Sequence, residues 1–222
     1  MRCPVLVGSC SQVWRVINAS TATVKSWKED FRGDAAKVLL ETISVYLIQE
    51  DVYARHANIV NSSGTGKSRM VDEVGKTVIT VPMCLRDPTS SGLVYHRSLG
   101  FHVRSNVLTG YPPCDKALRE WLLDLGADRQ KVAKRLQCFL TSLLDVTLRR
   151  LKAIEYGDTF YNCESVQERQ SLLADRFREN MTEGTTFGGA NEYREKFFNE
   201  VIRRANQVGF SGCWSSPFGD DR

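Results

Sequence analysis

Residues 57–85 read ANIVNSSGTGKSRMVDEVGKTVITVPMCL, and their order decides the fold expected of the chain. Ala57, Asn58, Ile59 and Val60 form an apolar run too brief for a helix, and it ends at small polar residues. That reads as a strand followed by a loop. Over residues 67–76, Met70, Val71 and Val74 share one face while Arg69, Asp72, Glu73 and Lys76 lie elsewhere, which predicts an amphipathic helix. Residues 78–85 are rich in β-branched side chains and predict a second, buried strand, with Pro82 placed where no ladder donor is needed. Strand, loop, helix and strand make a βαβ unit with parallel strands and a right-handed crossover. The expected fold class is α/β, with a parallel sheet that is incomplete because only two strands are identifiable.

Working outward, residues 34–55 carry Val38, Leu39, Leu40, Ile43, Val45, Tyr46, Leu47 and Ile48 without Gly or Pro, the signature of a largely buried helix. After Arg86 come the turn formers Asp87, Pro88, Ser90, Ser91 and Gly92. Residues 93–109 then contain no acidic residue and hold His96 and His102, two of the three histidines. Beyond Asp115, a candidate N-cap, the chain turns helical: residues 115–126, 128–154, 167–180 and 192–207 each carry apolar residues at helical spacing. On the second of these, Leu136, Leu140, Leu143, Leu144, Leu151 and Ile154 are expected to form one core stripe. Lys131, Lys134, Arg135, Arg149, Arg150 and Lys152 lie largely off it and read as a solvated face. The flexible stretch 182–190 separates the last two helices, and residues 208–222 show no periodicity and read as a disordered tail.

With 222 residues, 42% of them hydrophobic and 25% charged, the chain is neither collagenous nor wholly disordered and suits one moderate domain. Its net charge of +4 is a weaker excess than a dedicated nucleic-acid binder carries, so nucleic acid is not the expected partner. The cysteines at 3, 10, 84, 114, 138, 163 and 213 are odd in number and form no C-x-x-C pair, so they indicate neither a disulfide framework nor a zinc site. Residues 4–8 are too short for a signal-peptide core, and no apolar stretch reaches spanning length. An intracellular location, cytoplasmic or nuclear, is expected, and the N-x-S/T triplets at Asn18, Asn61 and Asn180 read as chance matches.

The chemistry sits in residues 61–68, NSSGTGKS, which fit the phosphate-loop (Walker A) pattern G-x-x-x-x-G-K-[ST] at every defined position but the first. Phosphates carry dense negative charge, and successive backbone N–H groups can all point inward only where side chains do not intrude. Gly64 and Gly66 give that freedom between Asn61, Ser62, Ser63 and Thr65. The following helix adds its unpaired N–H groups and the positive end of its dipole. Lys67 is the candidate catalytic residue, reaching the β- and γ-phosphates, and the Ser68 hydroxyl is the candidate Mg²⁺ ligand; Arg69 completes the binding set. The expected ligand is Mg²⁺ with ATP or GTP. Asn61 departs from the pattern, and because Asn tolerates the left-handed region best among non-glycine residues, the cost is about 1 kcal/mol and the site is weakened rather than abolished.

Hydrolysis requires a second acid for Mg²⁺. No apolar strand ending in Asp-Glu follows residue 115, Asp145 lies inside a helical pattern, Asp87 sits before Pro88, and Asp72 and Glu73 read as surface residues one turn beyond Ser68. A nucleoside triphosphatase therefore lacks an identifiable second metal-binding acid.

Three stretches, residues 61–92, residues 110–122 (GYPPCDKALREWL) and residues 185–202 (TTFGGANEYREKFFNEVI), together resemble a multicopy group of P-loop NTPase-like proteins of mushroom-forming fungi, related to Crinkler-type proteins. Relatives read G-S-S-G-T-G-K-S-R at the loop and Y-P-P-P-D after the strand. The likeness covers residues 31–206 and leaves 93–109 unmatched. It implies an ATP- or GTP-phosphate-binding domain with Lys67 and Ser68 in their usual roles, and an amino-terminal fragment, because the second acid is expected farther downstream. Excising 93–109 joins D-P-T-S-S-G to G-Y-P-P, so this interval reads as a retained intron; a histidine site built by His96 and His102 is the lesser alternative. The resulting organisation is a poorly defined segment 1–30, a P-loop NTPase-like domain 31–207 with the insert 93–109, and the tail. The expected function is nucleotide phosphate binding, with hydrolysis if the domain is complete. The alternative is a truncated, catalytically inactive helical interaction protein carrying a relic loop.

Overall fold

The apolar residues that recur at helical spacing after Asp115 close on one another. The computed structural model describes residues 25–27, 29–48, 58–60, 66–87, 93–96, 101–104, 112–157, 163–186 and 189–210. Within them lie α1 (Ala35–Ile48), α2 (Lys67–Val74), β1 (Leu93–His96), β2 (Phe101–Arg104), α3 (Lys116–Leu123), α4 (Arg129–Gly157), α5 (Val166–Thr182) and α6 (Glu192–Phe210). Helix α6 packs against α3, α4 and α5 and is the centre of this group, while α1 packs on α2.

Local chemistry starts each long helix. The Asp128 carboxylate accepts the amides of Gln130 at 3.0 Å and Lys131 at 3.3 Å ahead of α4. Ser165 accepts the Glu168 amide at 3.1 Å, and the Glu168 carboxylate accepts the Glu164 amide at 2.9 Å, so α5 begins with a reciprocal cap. Asn191 accepts the Arg194 amide at 2.7 Å and donates to the carbonyls of Asn180 and Glu183, tying the end of α5 to the start of α6.

The core is aromatic where the helices cross. Phe177 of α5 and Phe197 of α6 meet edge to face at 5.9 Å, and Phe197 meets Phe198 at 5.2 Å. Trp121 of α3 stacks on Phe139 of α4 at 5.5 Å, and its indole N–H donates to Asn206 of α6 at 2.9 Å. On α4 the buried residues are Cys138, Phe139, Ser142, Leu143, Val146, Thr147 and Leu151. The expected stripe is thus rotated: Leu143 and Leu151 face the core, but Leu140 and Leu144 are 56% and 71% exposed, as is Leu148 at 52%. Leucine spacing alone left two faces to choose between, and the Trp121–Phe139 stack selects the one bearing the aromatic ring.

The parallel sheet expected of an α/β P-loop fold does not form among the described residues. Residues 58–60 and 78–87 adopt no strand, and the paired strands among the described residues are β1 and β2 alone. These run antiparallel, with Leu93 opposite Arg104 and His96 opposite Phe101, inside the interval read as an insert. The described architecture is therefore helical with one hairpin. Two parallel strands by themselves expose both outer edges to water and are marginal at best. Here the polar groups of residues 82–84 are met instead by side chains from the helical group, as described below. The β-branched run signalled an extended backbone, which periodicity cannot distinguish from a sheet strand.

Helix α1 ends at Ile48 rather than near residue 55, and it buries no residue: Val45, Tyr46, Leu47 and Ile48 are all exposed. Helix α6 runs through Phe210, three residues into the stretch read as a tail, whose remainder lies outside the described residues, as does most of the segment 1–30.

Candidate phosphate-binding site

Gly66 stands directly ahead of α2 with φ 79° and ψ 16°, in the left-handed region, which glycine enters without the penalty of a Cβ. Its carbonyl accepts the Met70 amide at 2.8 Å, the first hydrogen bond of the helix. The amides of Lys67, Ser68 and Arg69 thus precede the intrahelical ladder, at the positive end of the helix dipole. Ser68 is exposed, and Lys67 and Arg69 are half-buried. The Arg69 guanidinium donates to the Ser26 carbonyl and ties α2 to residues 25–27. Asn61, Ser62, Ser63, Gly64 and Thr65 lie outside the described residues, so the structure places Gly66, Lys67, Ser68 and Arg69 of the expected set.

The other end of α2 is fixed to the helical group. Asp72, expected at the surface, is 12% exposed and lies 3.5 Å from Arg178 of α5, which also binds Asp175 at 2.8 Å. Burial raises the Asp72 carboxyl above its ordinary pKa, against the lowering effect of Arg178, so the pair does not fully offset desolvation. Next to it Gly75 is required by close approach rather than by dihedral angle: a Cβ there would sit 2.7 Å from Thr80 Oγ1 and 3.4 Å from Arg178 Cδ.

Beyond Gly75, residues 78–87 are held by a buried ion pair. Arg194 of α6 grips Asp115 with two hydrogen bonds, Nε to Oδ1 at 2.6 Å and Nη2 to Oδ2 at 2.7 Å. Their side chains are 3% and 2% exposed. The same Arg194 Nη2 donates to the Pro82 carbonyl at 2.8 Å, and Asp115 Oδ2 accepts the Cys84 amide at 2.7 Å. The Asp115 amide returns a hydrogen bond to the Cys84 carbonyl at 2.9 Å. Pro82, which lacks a donor, contributes only its carbonyl. Asp115 does occupy the N-cap position of α3, but its side chain makes no capping bond there because Arg194 and Cys84 use it.

Of the other acids, Asp87 lies 3.3 Å from Arg119 and Glu73 lies 2.8 Å from Lys76. His96 and His102 fall in adjacent register pairs of the hairpin, opposite Phe101 and Tyr95. In the basic group of α4, Arg149 pairs with Asp145 at 3.1 Å and Arg150 with Glu200 at 3.1 Å, while Arg135 lies over the Trp121 ring at 4.9 Å. The Asp115–Arg194 pair escaped sequence reasoning. Its signal was a charge on an apolar stripe: Arg194 shares the helical face of Phe197, Phe198, Val201 and Ala205.

The family described as Domain of unknown function (DUF8735) matches residues 29–122, less than half of the 222-residue chain. The matched part holds α1, α2, the extended residues 78–87 and Asp115, and it ends within α3, before Arg194. No curated protein and no solved structure matches the chain. Among the described residues, no helix is long and apolar enough to cross a membrane.

Proposed function

We propose that the chain binds the phosphates of a nucleoside triphosphate, as Mg-ATP or Mg-GTP, between residues 61–66 and the first turn of α2. The observation that carries this is the left-handed Gly66 placed immediately before Lys67 and Ser68 at the start of a helix. A helix start of this kind offers unpaired backbone amides, and Lys67 beside it carries an ammonium group, which together are what a dense anion requires. The exposed Ser68 hydroxyl is a hard oxygen donor of the kind Mg²⁺ accepts while keeping several waters, and the ion would supply charge neutralisation at the β- and γ-phosphates. Binding without turnover is favoured, because Asp72, Glu73 and Asp87, the acids weighed around the loop, are ion-paired with Arg178, Lys76 and Arg119.

Titration of the chain with MgATP and MgGTP tests the reading. Lys67→Ala is expected to weaken affinity about 10- to 100-fold, the worth of one hydrogen bond to a charged group. Equal affinity in both forms overturns the proposal. Asn61→Gly is expected to tighten binding about fivefold by relieving strain of about 1 kcal/mol, and a several-fold loss in that variant would refute the assigned backbone role of Asn61.

A second reading, a helical interaction protein with a relic loop, is favoured by the exposed leucines 140, 144 and 148 of α4 and by the lack of a strand at residues 58–60. It predicts equal, weak nucleotide binding in the unaltered chain and in Lys67→Ala. Nucleic-acid binding through α4 has less support, since Arg149 and Arg150 are already matched by carboxylates.

A further inference from the structure

Helix α4 is 29 residues long and carries two acids, Asp145 and Glu155. Both are taken: Asp145 meets Arg149 at 3.1 Å and Arg204 at 2.8 Å, and Glu155 meets Arg169 of α5. The charged residues that the helix exposes are all basic, namely Arg129, Lys131, Lys134, Arg149 and Lys152. Lys131 lies 3.7 Å from Asp128, but among the described residues no carboxylate pairs with Lys134 or Lys152. These two lysines are separated by about five full helical turns, so they share one azimuth and lie about 27 Å apart along the axis. Between them Leu140, Leu144 and Leu148 follow at intervals of one turn, each more than half exposed. They form a ridge about 12 Å long, centred between the lysines and turned about 80° from them. Phe139, Leu143 and Val146 on the far side of the helix enter the core.

The borders of the ridge decide what fits it. Residues four apart on one helix seat in the groove between corresponding rows of a second helix. A second copy of α4 would bring its own unpaired lysines against these, and like charges oppose that pairing. A bilayer takes a broad apolar face, whereas the exposed Gln137 and Thr141 border this ridge and keep it one leucine wide. A nucleic-acid backbone would meet the lysines and leave the leucines in water. A helix with one apolar stripe and carboxylates beside it satisfies both features at once.

We propose that the outer face of α4 docks an acidic amphipathic helix of another protein, whose apolar stripe packs on Leu140, Leu144 and Leu148 while its carboxylates meet Lys134 and Lys152. The surface does not involve residues 61–68, and it stands whether or not nucleotide binds there.

The probes are two labelled synthetic helices of about 20 residues, long enough to hold helical structure, with one leucine stripe flanked either by glutamates or by lysines. Fluorescence anisotropy with the whole chain reads their binding. The glutamate peptide should bind with a Kd on the order of 10 μM, as small transient interfaces do, and at least about tenfold more tightly than the lysine peptide. Leu144→Ala should weaken it about tenfold at an unchanged unfolding temperature. The double variant Lys134→Glu, Lys152→Glu should lose about fivefold for the glutamate peptide and gain about as much for the lysine peptide. Absence of glutamate-peptide binding, equal binding of the two peptides, or an unchanged affinity in Leu144→Ala overturns the proposal. Sedimentation equilibrium and flotation with phosphatidylcholine–phosphatidylserine vesicles supply the rival outcomes. A dimer, or vesicle association, that Leu144→Ala abolishes would assign the face to a second copy or to a membrane and overturn the proposal as well.

Discussion

Replacing Arg194 with methionine lowers the free energy of unfolding by about 3–5 kcal/mol, the usual cost of stripping one partner from a buried ion pair. Asp115 would keep its position at the start of α3, 2% exposed, with the Cys84 amide as its remaining side-chain donor. A carboxylate so enclosed cannot recover its hydration, and the Pro82 carbonyl loses its donor at the same time. Methionine fills much of the same volume and can still pack on Phe198, whose ring lies 5.6 Å from the Arg194 guanidinium, so lost packing is a minor part of the change. Urea unfolding followed by far-ultraviolet circular dichroism measures it. The double variant Asp115→Leu, Arg194→Met should recover a large share of the loss, because it removes both charges together. A loss below about 1 kcal/mol in the single variant, the range of a surface pair, would show that the ion pair is solvated and holds nothing in place.

Phe197→Ala should be comparably severe, at about 3–5 kcal/mol. Phe197 is fully buried and makes aromatic contacts on two sides, with Phe177 of α5 and Phe198 beside it. It sits on the helix that all of α3, α4 and α5 contact, so the three neighbours cannot all move inward to close the same void. Leu144→Ala on α4 is the matched control: the residue is 71% exposed, and its truncation should change stability by less than about 0.5 kcal/mol. Similar losses at the two positions would mean that α6 is not the hub of the core.

The helices were legible because their signals are local. Helix α2 begins where the glycine and the apolar spacing placed it, and α3 to α6 each start within two residues of the expected points. Gly66 and its left-handed φ follow from steric limits within one residue. The sheet was misread because a strand is completed by a partner. Residues 78–85 carry the composition of a buried strand, yet what meets Pro82 and Cys84 is an aspartate and an arginine 79 positions apart. Hydrophobic periodicity holds no information about such a meeting. The Asp72–Arg178 contact was hidden for the same reason, and helical wheels made Asp72 look exposed because they show a helix without its neighbours.

The link between Asp115 and Arg194 also has a temporal side. At about 5–20 residues per second, a ribosome needs roughly 4–16 s to add the 79 residues that separate them. By the end of that interval α3 and α4 have been synthesised, while the helix that joins them has only begun. The nascent chain must wait with its aromatic groups uncovered, which makes this stretch of synthesis the period in which a chaperone has most to bind.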